Sequence, residues 1–220
     1  MKRKLLHFSS ITKKIIMALS GLFLITFLLV HLTLNFFLLS NDGGAFYGKV
    51  VGFMTSNVII KIFEYVLMFC FLIHLIYAII IQIKNWRSRP IRYKVEGFSH
   101  TSFFSKYMIH TGIIVLLFLL IHFFNFYFVR LGWVSPPEGV DSHDFYTMCH
   151  MLFSNGYYVV LYTILMVFLG FHLNHAFQSA FLTMGLHHSK YTPFIKFCGL
   201  LYSILVPLGF AIIPIYIYFT

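Results

Sequence analysis

The chain has 220 residues, 60% of them apolar and only 10% charged. Soluble domains carry about 25% charged residues, so this composition excludes an ordinary globular enzyme and leaves almost nothing for a separate soluble domain. The net charge of +10 does not point to nucleic acid, because the lysines and arginines cluster beside apolar runs, where they act as topology signals.

The first apolar run, residues 15–39, is uncharged, far exceeds the ~7–15-residue core of a signal peptide, and is followed by no small-residue cleavage site. It reads as a membrane span and carries Ser20, Gly21 and His31. The second run, 62–83, contains Glu64 and His74; the third, 107–129, contains Thr111, Gly112 and His122. A fourth, 156–186, carries His172 and, one turn later, His175. The fifth, 197–219, has no histidine but two prolines, Pro207 and Pro214, which predict a peripheral, bent helix. Each run supplies the ~20 residues that cross ~30 Å of hydrocarbon, and Glu64 is the one formal charge inside them. No alternating polarity appears, so a transmembrane barrel is excluded and helices remain. The predicted fold is an all-α transmembrane five-helix bundle forming one domain over residues 1–220.

Thirteen basic residues fall on one side of these spans: Lys2, Arg3, Lys4, Lys13, Lys14, Lys84, Arg87, Arg89, Arg92, Lys94, Lys106, Lys190 and Lys196. Lys49, Lys61 and Arg130 fall on the other. That asymmetry predicts a cytoplasmic N-terminus and a C-terminus outside. Cys70, Cys149 and Cys198 form neither a CxxC pair nor a CxxCH site, which argues against a thiol redox motif and against covalent haem attachment.

Histidine is an unusual residue to keep in hydrocarbon, and an ionisable group there marks a candidate functional site. Counted from the cytoplasmic end at 1.5 Å per residue, His31 and His122 lie ~25 and ~24 Å up, and His74 and His172 lie ~15 and ~16 Å up. Four imidazoles thus fall into two depth-matched pairs, the arrangement that two bis-histidine haems require. Ser20-Gly21 precedes His31 by the same offsets at which Thr111-Gly112 precedes His122. Eleven residues bring a helix back to within about 20° of the same face, so these small residues sit at the level of the inner pair. There Gly would let a flat macrocycle approach, or the segment would be an ordinary helix contact; the hydroxyls could bond a propionate or a ligand imidazole.

His175 shares a face with His172 and is the rival ligand in the fourth helix. His110 reads as interfacial, His187 and His188 as part of a polar turn, and His143 and His150 as loop residues without metal spacing. Glu64 has two readings, a cap on the first turn of its helix or a proton acceptor beside a quinone. A haem-free transporter or channel lined by the histidines is a further alternative.

The segments Met17 to Phe23 with His31 and Asn35, Glu64 to Tyr77, Thr111-Gly112 to His122, and Phe171 to Phe181 carry a resemblance. So does the turn Gly185 to Pro193. The chain resembles the dihaem cytochrome b membrane anchor of succinate:quinone oxidoreductases, the succinate dehydrogenases and fumarate reductases, in the form with one five-helix polypeptide. The likeness runs from about Lys13 to Ile215. It departs at Ala176, where the family is expected to have Gly. The resemblance implies two haem b groups, the outer one on His31 and His122 and the inner one on His74 and His172. It further implies a flavoprotein and an iron–sulfur subunit as partners, menaquinone exchanged in the membrane, a higher oligomer of the complex, and the bacterial cytoplasmic membrane as its location. The cytochrome b anchor of a hydrogenase or formate dehydrogenase is the neighbouring alternative, with a different helix plan expected.

Overall fold

A computed structural model describes residues 10–87 and 107–220. Lys2, Arg3, Lys4, Arg89, Arg92, Lys94 and Lys106 lie outside the described residues. Five helices are long and apolar enough to cross a membrane, so this is a multi-pass membrane protein built as an all-α bundle. The first span, Ile11–Leu39, comprises α1 (Ser10–Asn35) and a tighter last turn at Phe36–Leu39. α3 covers Val58–Arg87, α4 Met108–Arg130, α6 Gly156–Thr183 and α7 Thr192–Phe219. Two short helices, α2 (Ala45–Ser56) and α5 (Phe145–Phe153), lie between spans at the end of the bundle that also holds Leu39 and Arg130. That end is called the far end below, and the end with Ser10, Arg87 and Thr183 the near end.

Local chemistry sets the helix limits. α3 starts a turn before the apolar run at residue 62, because the Asn57 side chain accepts the backbone N–H groups of Ile59 (2.9 Å) and Ile60 (3.3 Å). Glu64 lies in the second turn, so the expectation that it caps this helix is corrected. α6 stops at Thr183 rather than 186: Leu186 N–H bonds the Phe181 carbonyl (3.2 Å) and Gly185 N–H that of Leu182 (3.1 Å). This double closure needs a left-handed residue, and Gly185 supplies it at φ +83°.

α2 and α5 occupy segments that periodicity left as loops. Asp42 opens α2 by accepting Phe46 N–H at 2.7 Å and Gly44 N–H at 3.1 Å. Asp144 caps α5 through Thr147 N–H at 3.1 Å. Gly44, at φ +83°, lies where any side chain would run into the Tyr146 ring, so the two helices meet there. Between them Tyr47, Cys149 and Phe153 are buried in the far-end core with Leu32, Leu38 and Tyr162. Burial pushes the Cys149 thiol up to about 12, which keeps it a neutral filler.

α1 packs against α3 and α6, and α4 packs against α6. α3 and α4 meet through the Phe71 and Phe123 rings, 6.2 Å apart. The four helices therefore enclose a central space, with α1 opposite α4 and α3 opposite α6 across its diagonals. The fifth span departs from expectation. α7 keeps both prolines inside one helix and is not peripheral: its span is the most buried of the five, whereas α3 is the least. Small residues are the reason. Gly170 of α6 lies so close to α7 that a Cβ there would sit 2.9 Å from the Ser203 carbonyl oxygen, and Gly209 of α7 lies against Leu32 of α1. Close backbone approach through small residues is how membrane helices gain packing energy when lipid is as apolar as leucine.

Candidate functional site

The central space is lined by the histidines. His31 on α1 and His122 on α4 face each other with ring centroids 5.9 Å apart and planes at 83°. His74 on α3 and His172 on α6 do the same at 6.5 Å and 75°. The structure brings together the residues that helical rise places at equal depth, each pair bridging one diagonal. His175 does not enter this arrangement; it is half-buried one turn nearer the end of α6. His187 and His188 are exposed at the near end, and His110 lies beside Tyr107 with ring centroids 5.8 Å apart. At the far end His143 pairs with Asp141 at 3.6 Å, and His150 bonds the Tyr146 carbonyl at 2.9 Å.

The surroundings repeat. A Cβ at Gly21 of α1 would lie 3.5 Å from Cε1 of His74, and one at Gly112 of α4 would lie 3.4 Å from Cε1 of His172. Each inner imidazole therefore rests on a glycine of the neighbouring helix. Four residues before each outer histidine is a phenylalanine against its ring: Phe27 on His31 at 5.2 Å and Phe118 on His122 at 5.8 Å. The α1–α3 and α4–α6 hairpins thus present the same parts to the central space, an approximate two-fold relation along the bundle axis.

Ser20 and Thr111 are buried, but their hydroxyls turn inward on their own helices. Ser20 donates to the Met17 carbonyl and Thr111 to that of Met108, both at 3.0 Å. A short hydroxyl in a helix finds the carbonyl one turn back more easily than a distant partner, so what each hydroxyl retains toward the central space is its capacity to accept a hydrogen bond. The imidazoles are less well served. Nδ1 of His74, His122 and His172 is buried without a hydrogen-bond partner among the described residues, and a buried polar atom left so costs about 1–3 kcal/mol. His31 differs, with Asn35 Nδ2 at 3.3 Å from its Nδ1 and donating to its own carbonyl oxygen at 2.7 Å.

Glu64 faces α4. The Arg130 guanidinium forms an ion pair with it, and the Tyr127 hydroxyl donates to the same carboxylate oxygen at 3.1 Å. Both charged side chains are largely shielded, at 20% and 25% exposure for Arg130 and Glu64. Sequence reasoning missed Arg130 and Tyr127 as partners, having counted Arg130 as a loop charge. The responsible feature is a widened π turn at Phe123–Tyr127, which begins at the residue after His122. In the same turn Asn125 donates to the Tyr162 hydroxyl of α6 at 2.9 Å. No family model, curated protein or solved structure matches the chain.

Proposed function

We propose that this protein is the membrane anchor and electron-transfer subunit of a succinate dehydrogenase or fumarate reductase, holding two b haems. The observation that carries the reading is the pair of facing imidazoles on each diagonal. Two iron–nitrogen bonds of about 2 Å, plus about 1.2 Å from nitrogen to ring centre at either end, put the centroids of a bis-imidazole iron ~6.4 Å apart. The separations of 5.9 and 6.5 Å lie on either side of that value. The unpartnered ring nitrogens and the glycines under His74 and His172 support the same reading. They describe imidazoles with bonding capacity to spare and flat, side-chain-free ground beside them.

In this account His31 and His122 hold the outer haem and His74 and His172 the inner one. When bound, such a group supplies one-electron chemistry by cycling its iron between ferric and ferrous forms. The chain's own residues do the rest. With an imidazole of each pair offered from either side, His31 with His122 and His74 with His172 would hold such a group without leaving room for oxygen, which would suit electron transfer. Phe27, Phe118 and Phe210 shield the outer rings from water. Glu64 exchanges a proton with a quinone, menaquinone by the resemblance, and Arg130 and Tyr127 hold its carboxylate in place. The near end, with Lys13, Lys14, Lys84, Arg87, Lys190 and Lys196, faces the cytoplasm of a bacterium and receives the iron–sulfur subunit, which carries the flavoprotein.

The test is to purify the whole complex through a tag on this chain and add succinate without oxygen. Reduction of b-type absorbance bands is expected. A preparation with no haem, or haem that succinate does not reduce and that fumarate does not reoxidise after dithionite, contradicts the proposal.

A further inference from the structure

α4 is regular from Met108 to His122 and then widens into the π turn at Phe123–Tyr127 before closing again at Phe128–Arg130. Nothing in this stretch breaks a helix by itself: there is no proline or glycine between Phe123 and Arg130. The turn changes which residues share a face. In an uninterrupted α-helix Tyr127 would point about 140° and Arg130 about 80° away from His122, at 100° per residue. The extra residue of the π turn takes up about 100° of that rotation, leaving Tyr127 about 40° and Arg130 about 20° from His122. Three further contacts follow the same line. The His122 and Phe123 rings lie 6.4 Å apart, Phe123 and Tyr127 5.4 Å apart, and the Arg130 guanidinium carbon sits 5.2 Å over the Tyr127 ring. Side chains thus run without a break from an outer histidine to the shielded Glu64–Arg130 pair.

We propose that the π turn is a register device that brings Arg130, with its partner Glu64, close to the His31–His122 pair, making Arg130 the positioning residue that cancels the Glu64 charge and so keeps it from shifting the redox potential of the group held there. This rests on the haem reading above. A neutral pair of opposite charges perturbs its neighbour little, whereas either charge alone, in a medium of low dielectric constant, acts at long range. Removing Arg130 leaves a bare carboxylate, which favours the more positive ferric state. Removing Glu64 leaves a bare guanidinium, which favours the ferrous state.

The experiment is an optical redox titration of the purified complex, without quinone, for wild type, Arg130→Gln, Glu64→Gln and the double variant. Each haem is assigned by its loss in His31→Ala or His74→Ala. Arg130→Gln is expected to lower the midpoint potential of the outer haem and Glu64→Gln to raise it. Each shift should correspond to a several-fold change in the redox equilibrium, short of the tenfold that equals 59 mV for one electron. The double variant should return close to wild type, and the inner haem should move less throughout. Deleting Phe124, which restores α-helical register, should uncouple the pair and remove the effect of Arg130→Gln. If that deletion fails to fold, the three point variants still decide the matter. Shifts of the same sign in both single variants, equal shifts at both haems, or no shift overturn the inference alone. Wild type without haem overturns the function and this inference together.

Discussion

Gly112 offers a sharp test, because two substitutions there differ by two methyl groups and are expected to have opposite outcomes. A Cβ at this position would sit 3.4 Å from Cε1 of His172, an ordinary contact, so alanine fits without moving the ring. Alanine is also about 1 kcal/mol better than glycine inside a helix, and valine is intermediate. Propensity alone therefore predicts that both variants gain stability. Sterics reverse the sign for valine: its γ-carbons lie about 1.5 Å beyond Cβ, and its stiff χ1 leaves little room to turn both away from the imidazole. Overpacking of this kind costs about 1–3 kcal/mol, more than the few tenths gained in propensity. The ring is the part that gives way, and it is the proposed axial ligand of the inner haem. Gly112→Ala should keep two haems per chain by pyridine haemochrome assay, and Gly112→Val should keep one, the outer. Gly21→Val should have the same result through His74, where the corresponding distance is 3.5 Å. A valine variant with both haems and an unchanged spectrum, or an alanine variant already short of one, refutes this reasoning.

At Gly170 the sign for alanine is the reverse. There a Cβ would meet the backbone oxygen of Ser203 at 2.9 Å, so α6 and α7 must separate and Gly170→Ala should destabilise by about 1 kcal/mol net of propensity, read as a lower melting point in detergent. Asp144→Ala removes the cap of α5, which bonds Thr147 N–H at 3.1 Å and its hydroxyl at 2.7 Å. The loss of about 1 kcal/mol should appear as faster amide exchange across Phe145–Phe153. The Ser40 hydroxyl first, then the N–H groups of Phe46 and Gly44, hold the Asp42 carboxyl below its ordinary value of 3.8. A depressed native pKa contributes stability that is present above 3.8 and lost as pH falls through the lower native value. Melting followed from pH 5 downward should accordingly show a smaller acid loss for Asp42→Ala than for wild type, and parallel curves would count against the assignment.

The spans, and which histidines face each other, were legible in the sequence because each depends on one number, the rise per residue, applied to runs too long and apolar for anything but a membrane helix. The repeated Ser-Gly and Thr-Gly offsets likewise foretold small residues at the depth of His74 and His172. Other features were hidden for identifiable reasons. α2 and α5 are short and lie beside apolar runs, so periodicity is lost there; their signals were the capping carboxylates Asp42 and Asp144. The close packing of α7 against α6 and α1 was obscured by reading Pro207 and Pro214 as marks of a peripheral helix, whereas Gly199, Ser203 and Gly209 were better guides to it. The partnership of Glu64 with Arg130 could not be found by counting turns, because the π turn shifts every residue beyond it by about 100° and leaves no mark in composition.

The most direct measurement is haem stoichiometry in purified protein bearing His→Ala at positions 31, 74, 122, 172 and 175. The account predicts two haems in wild type, loss of the same one from the variants at 31 and 122, and loss of the other from those at 74 and 172. The variant at 175 should retain both. A wild-type protein devoid of porphyrin, or losses that pair the positions differently, would contradict it.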